Sequence, residues 1–379
     1  MSFLHRLLIL AAAGLATIMS ATPAIALPTM IRIGYAGCAS CHFAPQGGGL
    51  LNPYGRGIDE AQSLRAGEYQ PRQNDFIKAI SWGGRINQDV RVVMVAAHRQ
   101  SGEFRPRLQY RNVTDLSRGF AVHFTATAET DAAPRPGREY DPAVGPDSPL
   151  VSVALLRYSP KPGIEIAAGR DHLPSGVNMP NLGLFIKSRN RQGFYDTPVQ
   201  VKANWAGKRH QITPFAYGPS GYEAAGDRER GAGTLAEYDV LGRGTTVVGM
   251  SYLIGHADNG DRQTVGAYTR LGFGSWGILA QHDVTDRSRE GPQDVEFRQH
   301  TSYGQVFWAA REWLVFSAVG ERLDVERPFQ ERLAGGSLEV ATRLTSVATI
   351  GVSAGVQRNL ITDKTSRSVA LQLALKTVY

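Results

Sequence analysis

Cys38-Ala39-Ser40-Cys41-His42 is the stretch of this sequence whose residue types and spacing could do chemistry. Two thiols one helical turn apart can reach the two vinyl groups of a haem. A histidine directly after the second thiol then lies beneath the iron as its proximal ligand. The pattern predicts one covalent c-type haem, with Cys38 and Cys41 as thioether anchors and His42 as an axial iron ligand. Two other uses of the pair stay open here. One is a Cys-x-x-Cys redox centre, although such motifs accompany a βαβ pattern that this chain lacks. The other is a structural zinc site, which would need a second ligand pair, and the chain has two cysteines in all.

A sixth iron ligand has two candidates. Met30 lies eight residues before Cys38, in the same N-terminal segment. His123 alternates with Phe120, Val122 and Phe124 and shares the face of Ala121, Thr125 and Thr127, so on a strand it points away from the apolar side. A histidine lining water is the other reading of His123. The nine histidines are scattered, and no hydrolytic constellation is expected. The net charge of +7 is spread along the chain without runs, which gives no reason to expect a nucleic-acid partner.

The elements that must position the motif fall into three parts. Residues 1–26 read as a cleaved signal peptide, with Arg6 before an apolar stretch from Leu7 to Ile18 and the small-x-small run Ala24-Ile25-Ala26. Residues 27–87 form a small cytochrome c-like segment. Its roughly 60 residues include few large apolar side chains and can hardly wrap a haem alone. Gly47-Gly48-Gly49 and Asn52-Pro53-Tyr54-Gly55 predict turning backbone, and Asp59 to Gly67 one short helix.

Residues 88–379 carry a period-two pattern. Val369, Leu371, Leu373 and Leu375 alternate with Ala370, Gln372, Ala374 and Lys376, one face apolar and the other small or polar. The spacing predicts sixteen strands, near 88–98, 104–114, 117–129, 150–158, 163–170, 197–206, 208–217, 233–242, 245–256, 262–272, 276–285, 297–309, 313–323, 332–344, 348–358 and 367–379. Tight turns are expected near Asp115, Pro160, Gly207, Arg243, Gly274, Arg311 and Ser346. Longer loops are expected near 99–103, 130–149, 171–196, 218–232, 257–261, 286–296, 324–331 and 359–366. This asymmetry, with even strand parity, predicts an all-β fold, a transmembrane outer-membrane β-barrel of about 16 antiparallel strands with both ends on the periplasmic side. The terminal aromatic Tyr379 looks like a barrel assembly signal. Tyr110, Tyr158, Tyr217, Phe273, Trp276, Trp308 and Trp313 are candidates for interfacial girdles. A barrel of this size leaves room for a plug carrying the haem.

A signal peptide, a single CxxCH near the mature N-terminus and a porin-like barrel in one chain resemble the fused outer-membrane monohaem cytochrome–porins. Their best-known members are outer-membrane cytochromes of iron-oxidising bacteria. At residue level the resemblance carries Cys38, Cys41 and His42 alone, and over residues 88–379 it is architectural. It implies a haem lodged in or under the barrel, passing electrons across the outer membrane. The implied partners are an extracellular electron donor or acceptor such as Fe(II), a periplasmic electron carrier, and outer-membrane lipid.

A second function class competes, a diffusion porin for anionic solutes in which the haem is structural or sensory. Lys187, Arg189 and Arg191, in the long loop 171–196, could fold inward as a constriction or lie on a solvated external loop. Gly169-Arg170-Asp171-His172-Leu173-Pro174 reads as a loop-anchoring salt-bridge motif without chemistry of its own.

Overall fold

Alternating side chains become the two faces of one sheet closed on itself. The computed structural model describes residues 29–35, 37–44, 50–66, 85–98, 102–129, 150–178, 184–193, 196–221, 226, 228–289, 295–326 and 330–378. The signal segment, the Gly47–Gly49 run and Tyr379 lie outside these residues. The sixteen strands are β1 (Ile86–His98), β2 (Gly102–Ser117), β3 (Phe120–Glu129), β4 (Leu150–Lys161), β5 (Ile164–Arg170), β6 (Val199–Ala206), β7 (His210–Gly218) and β8 (Arg230–Asp239), followed by β9 (Thr246–Ala257), β10 (Gly260–Phe273), β11 (Trp276–Arg289), β12 (Val295–Arg311), β13 (Leu314–Val325), β14 (Glu331–Thr345), β15 (Ala348–Asn359) and β16 (Thr365–Val378). Each pairs antiparallel with its sequence neighbours. β1 then pairs with β16, Val93 opposite Ala374, and closes the barrel.

The pleat sorts the side chains as the alternation requires. Along β9, Val247, Gly249, Ser251, Leu253, Gly255 and Ala257 are buried inside, while Val248, Met250, Tyr252 and Ile254 are exposed outside. Along β3, His123, Thr125 and Thr127 are buried, and Phe120 and Val122 are exposed. Outward aromatics gather at one end, with Phe120 stacked on Tyr158 at 4.5 Å and Trp308 between Trp276 (5.8 Å) and Phe316 (5.6 Å). Tyr217 is not part of that girdle. It is buried in the lumen, where its hydroxyl donates to Glu229.

That aromatic end is also the end of the tight turns. At the β2–β3 turn, Arg118 (φ 50°) and Gly119 (φ 83°) both take left-handed backbone, the geometry that a two-residue hairpin turn needs. A side chain at Gly119 would lie 2.4 Å from the Ser159 carbonyl oxygen. This turn lies at 118–119 rather than near Asp115, which is inside β2, and two further connections differ from expectation. The β8–β9 join near Arg243 runs over residues 240–245, because the Asp239 carboxylate accepts from the backbone N–H of Gly242 (3.0 Å) and Gly244 (2.7 Å) and builds a broader turn. The expected loop at 257–261 is only Asp258-Asn259, since the ladder continues until Gly260 faces Ala257.

The lumen is occupied from both ends. The described residues of the N-terminal segment (29–35, 37–44 and 50–66) enter at the tight-turn end, and residues 171–178 and 184–193 of the β5–β6 connection enter from the other. Ile31, Val177, Leu184 and Ile186 join the wall residues Leu235, Val247, Tyr268, Leu279, Tyr303 and Phe307 in one buried apolar cluster. Each large side chain there stabilises the inward chain by about 1.5–3 kcal/mol. The helix of the N-terminal segment lies earlier than expected, as α1 (Pro53–Ala61), with α2 (Phe185–Ser188) in the inward loop. Asn52-Pro53 is a helix start rather than a turn. The Asn52 side chain accepts from the Gly55 N–H at 2.8 Å, and proline suits the first helical position.

Candidate functional site

Cys38, Cys41 and His42 share one turn. The Cys38 carbonyl accepts from the N–H of Cys41 (3.2 Å) and of His42 (3.0 Å), so the motif is wound as a single helical turn, Cys38–Ser40 being 3₁₀. The backbone after it is strapped to α1. Phe43 N–H donates to Leu50 O (3.2 Å), Asn52 N–H to Cys41 O (2.9 Å), and the Asn52 amide to Ser40 O (3.1 Å). Gly55 packs so closely that a Cβ there would lie 2.0 Å from the Cys41 carbonyl oxygen. The absence of a side chain at this position lets the helix support the motif.

The segment is held in the barrel mouth by polar contacts to strand ends. Arg32 pairs with Glu312 at 2.6 Å, and Arg56 donates to Asn87 at 3.1 Å. Asp59 pairs with Lys376 and, at 3.5 Å, with Arg343. Arg157 donates to the Phe43 carbonyl. The backbone N–H of Leu64 and Arg65 donate to the carbonyls of Arg343 (2.8 Å) and Leu344 (3.1 Å).

The Cys38 sulfur accepts from Arg270 at 3.5 Å, an inward residue of β10. Arg270 in turn pairs with Glu237 of β8 at 2.7 Å, and Glu237 accepts from Tyr268 at 2.8 Å. Burial pushes the Cys38 thiol above its ordinary range, against the opposing pull of Arg270. Burial also raises the Cys41 thiol. Both are free thiols held in the neutral form at neutral pH. A dithiol redox centre works through a thiolate of lowered pKa, so the surroundings favour a use other than thiol exchange. Among the described residues no three His, Cys, Asp or Glu side chains gather as a metal site, which leaves the zinc reading without a ligand set.

The candidate sixth ligands lie in different settings. The Met30 sulfur accepts from the Gln62 amide at 3.6 Å, and Gln62 in turn accepts from Arg343 at 3.1 Å. His123, 7% exposed, faces the lumen beside the motif, its ring edge-on to Phe43 with centroids 6.3 Å apart.

Residues 171–178 and 184–193 of the β5–β6 loop lie inward, so Lys187 is buried and Arg189 and Arg191 are half-buried. Their charges are nonetheless committed to protein groups. Lys187, 4% exposed, donates to Ser175 O at 2.7 Å. Arg189 pairs with Glu331 at 2.8 Å and Arg191 with Glu229 at 3.1 Å. Asn190, fully buried, is bonded to Asp283, Thr301, Thr285 and Gln299 of the wall. The loop is anchored as its sequence suggests. Asp171 pairs with Lys202 at 2.7 Å, and Arg170 donates to Thr197 O (3.3 Å) and Ser220 O.

Sequence reasoning missed Arg270, Glu237 and Tyr268. Charged or hydroxylated residues at inward positions of a strand are the signal that marks them. Sequence reasoning also passed over Gly351-Val352-Ser353-Ala354-Gly355, which matches the Gly-x-Ser-x-Gly spacing. That stretch lies inside β15, not at a strand-to-helix turn, and so lacks the exposed elbow a nucleophilic serine needs.

Neither a protein-family model nor a curated protein matches this sequence. Among solved structures, the chain is similar to a loop-deletion form of OmpT, an outer-membrane protein of Vibrio cholerae, with TM-score 0.59 and 9% identity over 77% of this chain and 99% of that one. OprB of Pseudomonas putida gives TM-score 0.55 and 9% identity, over 79% of this chain and 96% of that one. An anion-selective porin from Comamonas acidovorans gives 0.56 and 12%, over 77% and 99%. The closed sixteen-strand antiparallel barrel of this chain therefore has the fold of the outer-membrane β-barrel porins.

Proposed function

We propose that this protein is an outer-membrane cytochrome–porin, exported by a cleaved signal peptide, that carries electrons across the outer membrane through one covalently bound c-type haem. The observation that carries the reading is the CxxCH turn, wound as one helical turn and held inside a closed barrel against Arg270. The donor set fits the group. Cys38 and Cys41 are free thiols that would form the two thioethers, and His42, directly after them, would bind the iron. When bound, the haem supplies one-electron chemistry at its iron. The chain's own residues would hold it in the lumen. Asn52 and Gly55 fix the motif on α1, Arg157 and Asp59 fix the segment to the wall, and Arg270 sets a paired charge beside the first anchor. The hydrocarbon layer is about 30 Å thick, so a single redox group serves both sides only from within the barrel. The partners are a periplasmic electron carrier and an extracellular donor or acceptor, Fe(II) being the donor to test first.

The test is a haem-stained gel of outer-membrane fractions together with reduction by Fe(II). Covalent haem should survive denaturation in the parent protein and vanish in the Cys38→Ser/Cys41→Ser variant. A parent protein without covalent haem refutes the reading.

A diffusion porin for anionic solutes is the second reading, and the fold it shares with an anion-selective porin favours it. The inward cations Lys187, Arg189 and Arg191 are bonded to the protein, which weakens their case as a selectivity ring. Single-channel conductance with anion preference in a haem-free protein would establish it.

A further inference from the structure

We propose that His123, through Nε2, is the second axial ligand of the haem iron; the inference rests on the haem reading above. A buried imidazole nitrogen without a hydrogen bond is costly and calls for an explanation. His123 Nε2 is such an atom: the side chain is 7% exposed, on the lumen face of β3, and Nε2 has no hydrogen-bond partner. Neutral imidazole Nε2 is also a common ligand atom for iron.

Its place in the fold supports the assignment. The His123 ring meets the ring of Phe43, the residue directly after His42, and Arg157 of the next strand holds the Phe43 carbonyl. Motif and strand are thus brought together by contacts that do not involve the imidazole nitrogen itself.

Other ligand side chains among the described residues are placed elsewhere. The Met30 sulfur is engaged by Gln62. Met250, His256 and His282 are on the outward face of the barrel, where His282 bonds Ser302 at 2.9 Å and His256 bonds Asp261 at 2.6 Å. His300 lies beside His282 and pairs with Glu326 at 3.6 Å. His210, whose Nε2 likewise has no hydrogen-bond partner, has the outward parity of β7 and lies edge-on to the exposed Trp205, and His98 ends β1 at the barrel end away from the tight turns. His172 belongs to the loop anchor beside Asp171.

The experiment uses the full-length protein purified from outer membranes, with haem content measured by stain and iron spin state by optical and EPR spectra. The parent should be low-spin. His123→Ala should keep its covalent haem, turn high-spin, and return to low-spin on adding imidazole. His123→Met should be low-spin with a higher midpoint potential, as expected when a thioether replaces an imidazole. An unchanged low-spin spectrum in His123→Ala, or a high-spin parent with intact covalent haem, overturns the assignment while leaving the haem reading in place. A parent without covalent haem overturns both. If His123→Ala loses its haem during assembly, His123→Met decides: a spectrum and potential identical to the parent overturn the assignment.

Discussion

Asn190→Ala should undock the inward loop, and the size of the effect follows from its partners. The Asn190 amide donates to the Asp283 carboxylate at 2.9 Å and to Thr301 Oγ1 at 3.0 Å, and its oxygen accepts from Thr285 at 3.0 Å and Gln299 at 2.8 Å. A bond to a charged group contributes about 1.5–3 kcal/mol and a neutral one about 1. Some of that returns on truncation. Asp283 keeps two bonds from Gln281 at 3.0 Å, and the threonine hydroxyls can turn to neighbours. A net loss of about 3 kcal/mol in docking is therefore expected, roughly a hundredfold in the opening equilibrium. Hydrogen exchange at the backbone of residues 184–193 reads this directly. Their protection should fall about a hundredfold while that of β9 to β12 is unchanged. A fall below about threefold would mean that Ile186 and the Arg191–Glu229 pair hold the loop without Asn190, and the reasoning would be wrong.

Two further outcomes test the same physical picture. Gly55→Val should force α1 from the Cys41 carbonyl, a backbone clash costing about 1–3 kcal/mol, and lower covalent haem per barrel. Gly57→Val on the same helix, where a Cβ meets nothing within 4 Å, should stain like the parent, and equal staining of both variants would refute the packing argument. Burial pushes the Lys187 ammonium down to about 8 from 10.5 against the opposing pull of Asp283, so the docked loop binds fewer protons than the released one between those values. The penalty is then full below pH 8, and docking strengthens as the pH rises, by about 1.4 kcal/mol per unit. Exchange protection of residues 184–193, corrected for intrinsic rate, should grow about tenfold between pH 8.5 and 9.5, and Lys187→Met should abolish that slope.

The barrel was legible because its information is local. Whether a strand residue faces in or out depends on parity alone, so Ala370, Gln372 and Ala374 could be assigned to the lumen face from their apolar neighbours, and their burial agrees. Even parity and the asymmetry of the connections carried the topology. The CxxCH turn was equally plain, since its five residues contain the whole pattern. Local signals failed where they conflicted. Asn52-Pro53 reads as a turn or as a helix cap, and which it becomes depends on whether Gly55 has a surface to pack on, here the Cys41 backbone. Tyr217 near a strand end suits a girdle by position, yet its parity turns it inward to Glu229.

What the tertiary structure alone decided is the filling of the lumen. The loop 171–198 is polar and long, as an external loop would be. Its residues 184–193 lie inward because Asn190 finds Thr301 and Asp283, and Arg262 reaches the Asn190 carbonyl at 2.5 Å from a strand 72 positions away. Arg270 meets Cys38 across 232 positions, and Phe43 meets His123 from another strand. Partners so distant in sequence leave no periodic trace, because each is one inward residue among many. They are selected only when the barrel closes and leaves the buried polar groups of the two inserted segments no water to turn to.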